Sequence, residues 1–166
     1  MLITGFKNDI PESLKSVKCA SQFAKHVTKQ AKDVLLANGE HHPCFIMLSE
    51  SHEIYGQTIF TSPSSKDTFA DMVKKIAKKE NAIGVAFISE AWATTVMLKA
   101  SEIPDFSPKE EDNRVEVLMI LVEWKGGDSL ATRVEIQRDG DGKICRLIEL
   151  LENIKGFTGR FTSFLE

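Results

Sequence analysis

"RVEVLMILVEW" (Arg114–Trp124), "SLATRVEIQR" (Ser129–Arg138) and "KICRLIELLE" (Lys143–Glu152) follow one another with only "KGGD" and "DGDG" between them. Each run is apolar or alternating and is bounded by turn residues, the pattern of a β-strand. Glycine supplies the backbone freedom that tight links between antiparallel strands require. Three strands joined by two such turns form an antiparallel meander. A run of strands closing a chain that begins with alternating elements points to an α+β fold and away from a doubly wound parallel sheet.

Towards the N-terminus, "AIGVAFISEAWATTVML" (Ala82–Leu98) predicts a long strand with a kink or bulge near Gly84, and "KASEIPDFSPKEEDN" (Lys99–Asn113), with two prolines, predicts the longest loop. "SSKDTFADMVKKIAKKENA" (Ser64–Ala82) predicts a helix with Phe69, Met72, Val73, Ile76 and Ala77 on one side. Ser64 and Asp67 resemble a cap, and Lys74, Lys75, Lys78 and Lys79 oppose the helix dipole favourably. "CFIMLS" and "IYGQTIFTS", separated by "ESHE", predict a hairpin whose first strand is buried on both faces. Before them, "PESLKSVKCASQFAKHVTKQAKDVLLANG" (Pro11–Gly39) carries Val17, Ala20, Ala24, Val27, Ala31 and Val34 at spacings of three and four, one continuous helical stripe. Three of those six are alanine, so a neighbour approaches closely: either the helix's own sheet or a second copy. The expected architecture is a single α+β domain over residues 1–166, a mainly antiparallel sheet of five or six strands with two principal helices in the order α-β-β-α-β-β-β-β.

The first five of these elements follow an order that resembles the zinc-dependent deaminase fold. That resemblance implies a His-x-Glu and a Pro-Cys-x-x-Cys around a catalytic zinc. Here "PCFIM" (Pro43–Met47) lacks the second cysteine, and His52-Glu53 lacks the intervening residue. His41 and His42 are adjacent and point to opposite faces of an extended chain, while His52 lies a strand's length from Cys44. No metal and no cofactor is expected. "DGDG" matches a calcium loop for four residues only, because Lys143 and Ile144 stand where an oxygen ligand and a glycine are needed. Phosphate-cradling glycine loops and a nucleophile elbow are absent from the sequence.

The net charge of −3 argues against a nucleic-acid binder. Charge is uneven: residues 1–100 hold 12 Lys, no Arg and 10 acids, whereas residues 101–166 hold 4 Lys, 5 Arg and 14 acids. Cys19, Cys44 and Cys145 lie far apart without a Cys-x-x-Cys, as reduced cytoplasmic thiols do. The start of the chain has no signal-peptide pattern, and the longest apolar run, Val117–Val122, is too short to span a membrane. A cytoplasmic protein is expected.

One polar constellation remains. Glu90 and Trp92 share a strand face, as do Arg114 and Glu116 on the next strand, and antiparallel pairing brings the four together near the 99–113 loop. Arg133, Glu135 and Gln137 extend the cluster if they share that face. Two readings stay open: a carboxylate-arginine-tryptophan pocket for a small polar ligand, or a cross-strand ion-pair ladder. No catalytic residue is assigned. At the C-terminal end, Phe157, Phe161 and Phe164 recur at helical spacing beside Leu165, so this segment must dock on its own domain or on a second subunit. The function expected is a non-enzymatic interaction module forming a homodimer. The alternative is a small enzyme or ligand-binding protein built on Glu90, Trp92, Arg114 and Glu116.

Overall fold

The computed structural model describes residues 3–93, 114–150 and 161–165. The elements run β1 (Ile3–Asp9), α1 (Glu12–Lys15), α2 (Ala20–Asn38), β2 (Cys44–Leu48), β3 (His52–Thr58), α3 (Pro63–Lys79), β4 (Gly84–Ala93), β5 (Val115–Trp124), β6 (Asp128–Arg138) and β7 (Ile144–Leu150). The α+β class holds, with two corrections. The sheet has seven strands among the described residues, not five or six, because a strand precedes the first helix; and a short helix, α1, stands there beside the two principal ones, α2 and α3.

β1 escapes the expected pattern for a physical reason. "ITGFKND" carries no apolar alternation, since its side chains from Thr4 to Asp9 are all exposed and no face had to be apolar. The single helix expected over Pro11–Gly39 is broken at residues 16–19. Cys19 is extended (φ −154°, ψ 163°), and the Lys18 N–H donates to Gln22 Oε1 at 2.8 Å instead of continuing a helical ladder. The break lets Leu14 of α1 turn into the core. Within α2, Ala20, Phe23, Ala24, Val27, Ala31 and Leu35 are buried, so the expected stripe holds except at Val34, which is exposed.

The sheet order is β1-β3-β2-β4-β5-β6-β7, every neighbouring pair antiparallel. β2 therefore lies between β3 and β4, and α3 crosses over it. The hairpin β2–β3 and the meander β5–β7 stand as expected, and β4 pairs antiparallel with β5. Alternation sorts the strand residues into two cores. Cys44, Ile46, Leu48, Ala86, Ile88, Leu118, Ile120, Val122, Val134 and Ile136 meet α2 on one face. Phe45, Met47, Val85 and Phe87 meet Phe69, Ala70, Val73 and Ala77 of α3 on the other. β2 is buried on both faces, as its unbroken apolar run requires. The alanine-rich stripe thus seats α2 on its own sheet.

Three local features complete the frame. α3 is capped by Ser62 and Ser65, not by Ser64 and Asp67: each serine side chain bonds the other's backbone N–H, with Pro63 in the first turn. Gly84 opens β4 because the Trp124 ring lies where a Cβ would stand, 2.7 Å away. Phe161 stacks on Phe87 at 4.0 Å between centroids and Phe164 is buried in the α3-side core, so this segment docks within the chain. The Glu123 carboxylate holds it there, accepting the N–H groups of Ser163, Phe164 (2.7 Å) and Leu165 (3.4 Å). Phe157 and the 99–113 loop lie outside the described residues.

Candidate functional site

β4 and β5 pair so that Trp92 stands opposite Glu116 and Glu90 opposite Leu118, all on the α2 face. The four residues expected to meet do share one end of that face. The Arg114 guanidinium lies 4.8 Å from the Trp92 ring centroid, a cation–π contact. It is Arg138, however, that takes the Glu116 carboxylate. Its Nε donates to Glu116 Oε2 at 2.8 Å and its Nη2 to Glu116 Oε1 at 2.7 Å, a two-pronged pair. Its Nη1 donates to Gly39 O (3.0 Å) and Gly142 O (3.2 Å). One guanidinium therefore ties together β5, the end of α2 and the β6–β7 turn. Gly39 presents its carbonyl there because it ends α2 in the left-handed conformation, φ 79°.

Arg133, Glu135 and Gln137 do not extend the cluster. Their neighbours Val134 and Ile136 face α2, so these three point the other way. The register shift between Gln137 and Arg138 sits where Arg138 joins the cluster. His41 was also missed. Its backbone N–H donates to Glu90 Oε1, and its ring, neutral in preference because burial lowers its pKa, donates from Nδ1 to His42 O at 2.9 Å.

Burial pushes the Glu90 carboxyl above its usual range, and the Glu116 charge beside it adds to the rise; the His41 N–H and Arg138 oppose it. The folded chain accordingly holds a proton on Glu90 more tightly than the unfolded chain does. Stability from this group is greatest below the ordinary carboxylate range and falls as pH rises through the raised pKa. Glu90→Gln keeps an acceptor for the His41 N–H and removes the like charge. We expect its melting midpoint to exceed that of the parent at pH 7 and to match it at a pH below the carboxylate range. An equal midpoint at both pH values would mean Glu90 carries no unfavourable charge.

An open cleft of about 450 Å³ lies beside Arg138, lined by Asn38, Gly39, Glu40, Gly142, Lys143 and neighbouring apolar groups. Glu90, Trp92 and Glu116 are outside its lining. A second cleft of about 590 Å³ lies between the end of α3, the β5–β6 turn and residues 162–165. Cys44 and His52 stand at opposite ends of the β2–β3 hairpin, and no cluster of three His, Cys, Asp or Glu side chains suited to a metal occurs among the described residues. Among these residues, too, no helix is long and apolar enough to cross a membrane.

Comparison with curated proteins and with solved structures returned no match. A family model described as bacteriophage lambda protein ea47 matches residues 7–156, which is 150 of the 166 residues and takes in the end of β1 and every later element from α1 to β7, and the chain belongs to that family.

Proposed function

We propose that this chain is a non-enzymatic interaction module of the cytoplasm that self-associates. The observation that carries the reading is β1: a seven-residue strand at the sheet's edge, exposed along its described side chains, with Phe6 54% exposed. An uncovered edge of this kind presents a row of backbone donors and acceptors to another chain. The polar cluster supports the same reading from the other side. Arg138 directs Nε, Nη1 and Nη2 at groups of its own chain, which is how a structural brace behaves. The free thiols Cys19, Cys44 and Cys145 suit a reducing compartment.

Light scattering across a micromolar concentration series tests the proposal. A mass rising to twice that of the chain is expected, and a monomeric mass throughout would refute self-association.

A second reading, a small polar ligand held by Glu90, Trp92, Arg114 and Glu116, is favoured by one observation: Trp92 is 41% exposed with Arg114 stacked on it. The pair offers a flat face to a planar group beside two carboxylates.

A further inference from the structure

The sheet ends in two edges that differ in how they are protected. On β7, the exposed positions are Cys145, Arg146 and Glu149, and Glu149 pairs with Lys32 of α2 at 3.2 Å. Leu147 packs back on the α2-side core. Charge and a neighbouring helix blunt that edge. β1 carries charge only at Lys7 and Asp9, towards one end of the strand. It pairs with β3 along its whole length, from Ile3 opposite Thr58 to Asp9 opposite His52. Lys7 is drawn to one side, to Glu80 at 2.5 Å. Phe6 stacks on Tyr55 at 5.0 Å and 24°, with its outer half in water.

We infer that a second copy of β1 covers this edge, pairing antiparallel about a two-fold axis at Phe6. The inference rests on the self-association proposed above and names its surface. An axis at Phe6 matches all seven residues of the strand, from Ile3 against Asp9 of the other copy to Asp9 against Ile3. Any other centre leaves residues of β1 unpaired. At this centre no like charges meet: Lys7 faces Gly5, and Asn8 faces Thr4. An axis at Lys7 would instead set two ammonium groups against each other. Phe6 meets Phe6, and because each already stacks on Tyr55, four rings line up across the junction. Directly opposed aromatics are among the favourable cross-strand pairs. Two sheets of seven strands then form one continuous sheet of fourteen. One strand pair makes a small interface, so the dimer forms in the micromolar range and dissociates on dilution.

The test exploits the feature unique to a two-fold axis, that residue 6 faces itself. Phe6→Lys and Phe6→Glu each place like charges across the junction, and each is expected to raise the dimer dissociation constant roughly tenfold or more. Mixed in equal amounts, they are expected to recover a heterodimer. Phe6→Cys in a background of Cys145→Ser gives a second measurement, since mild oxidation links the two chains through the introduced thiols only where they oppose each other. If the parent chain is monomeric, self-association itself fails. If the parent dimerises and both charged variants dimerise equally well, the interface lies elsewhere and β1 is excluded. Loss of the dimer without recovery on mixing, together with no cross-link, overturns the axis at Phe6.

Discussion

Replacing Phe69 with alanine is expected to lower the unfolding free energy by about 4 kcal/mol, read as a shift in urea midpoint at constant slope. Phe69 is fully buried in α3 and meets four other rings: Phe45 at 5.8 Å, Phe60 at 5.4 Å, Phe87 at 6.1 Å and Phe161 at 6.5 Å between centroids. These rings come from β2, the β3–α3 connection, β4 and the segment at 161–165, so one side chain joins four parts of the α3 face. Truncation removes the transfer free energy of the ring and leaves a cavity that stacked aromatics cannot close by small movements. Alanine is the better helix former, so the loss cannot be assigned to the helix backbone. Phe69→Leu retains more of the volume and should cost less than half as much. A loss under about 1 kcal/mol for Phe69→Ala would mean that the cluster collapses around the gap.

Arg138→Met is the second large effect, about 3 kcal/mol of destabilisation, because removing one partner strands the other charge in a partly buried position. The side chains of Arg138 and Glu116 are only 25% and 15% exposed, so solvent does not replace the lost donors freely. The carbonyls of Gly39 and Gly142 lose a donor as well. The double variant Arg138→Met, Glu116→Leu is expected to be more stable than Arg138→Met alone, since the orphaned charge goes with its partner. Strict additivity of the two losses would show that the pair contributes nothing beyond its separate groups.

The parts of the fold legible in the sequence are those whose burial leaves a one-dimensional trace. β2 reads as a continuous apolar run because two helices cover it, and β5 to β7 read through their glycine turns. β1 left no such trace, because an edge strand clear of both helices has no face to make apolar. The first helix misled in the opposite way. Its spacing holds through residues 11–39, yet Cys19 is extended, and periodicity says nothing about a break that preserves the phase by chance. The cluster was half visible. Glu90, Trp92, Arg114 and Glu116 were placed by alternation; Arg114 lies on Trp92, and Arg138, which alternation was not used to place, binds Glu116. The parity of Val134 and Ile136 already excludes Arg133, Glu135 and Gln137 from that face. The same parity puts Arg138 on it; what sequence could not supply is the backbone N–H of His41, which has no side-chain signature at all.

Glu123 grips the segment at 163–165 by main-chain N–H groups, and side chains take no part in that grip. A carboxylate reading backbone is indifferent to residue identity, so the information specifying this contact is unevenly distributed along the chain. Position 163, where φ is 60°, should accept glycine or asparagine in place of serine but not a β-branched residue. Proline is barred from 163, 164 and 165, because it removes a donor. The demand for particular side chains falls on Phe161, Phe164 and Leu165 and, about forty positions away, on the acid at 123. Among relatives of this chain, the segment should therefore survive as two aromatics three apart and a distant glutamate, while the residues between them drift.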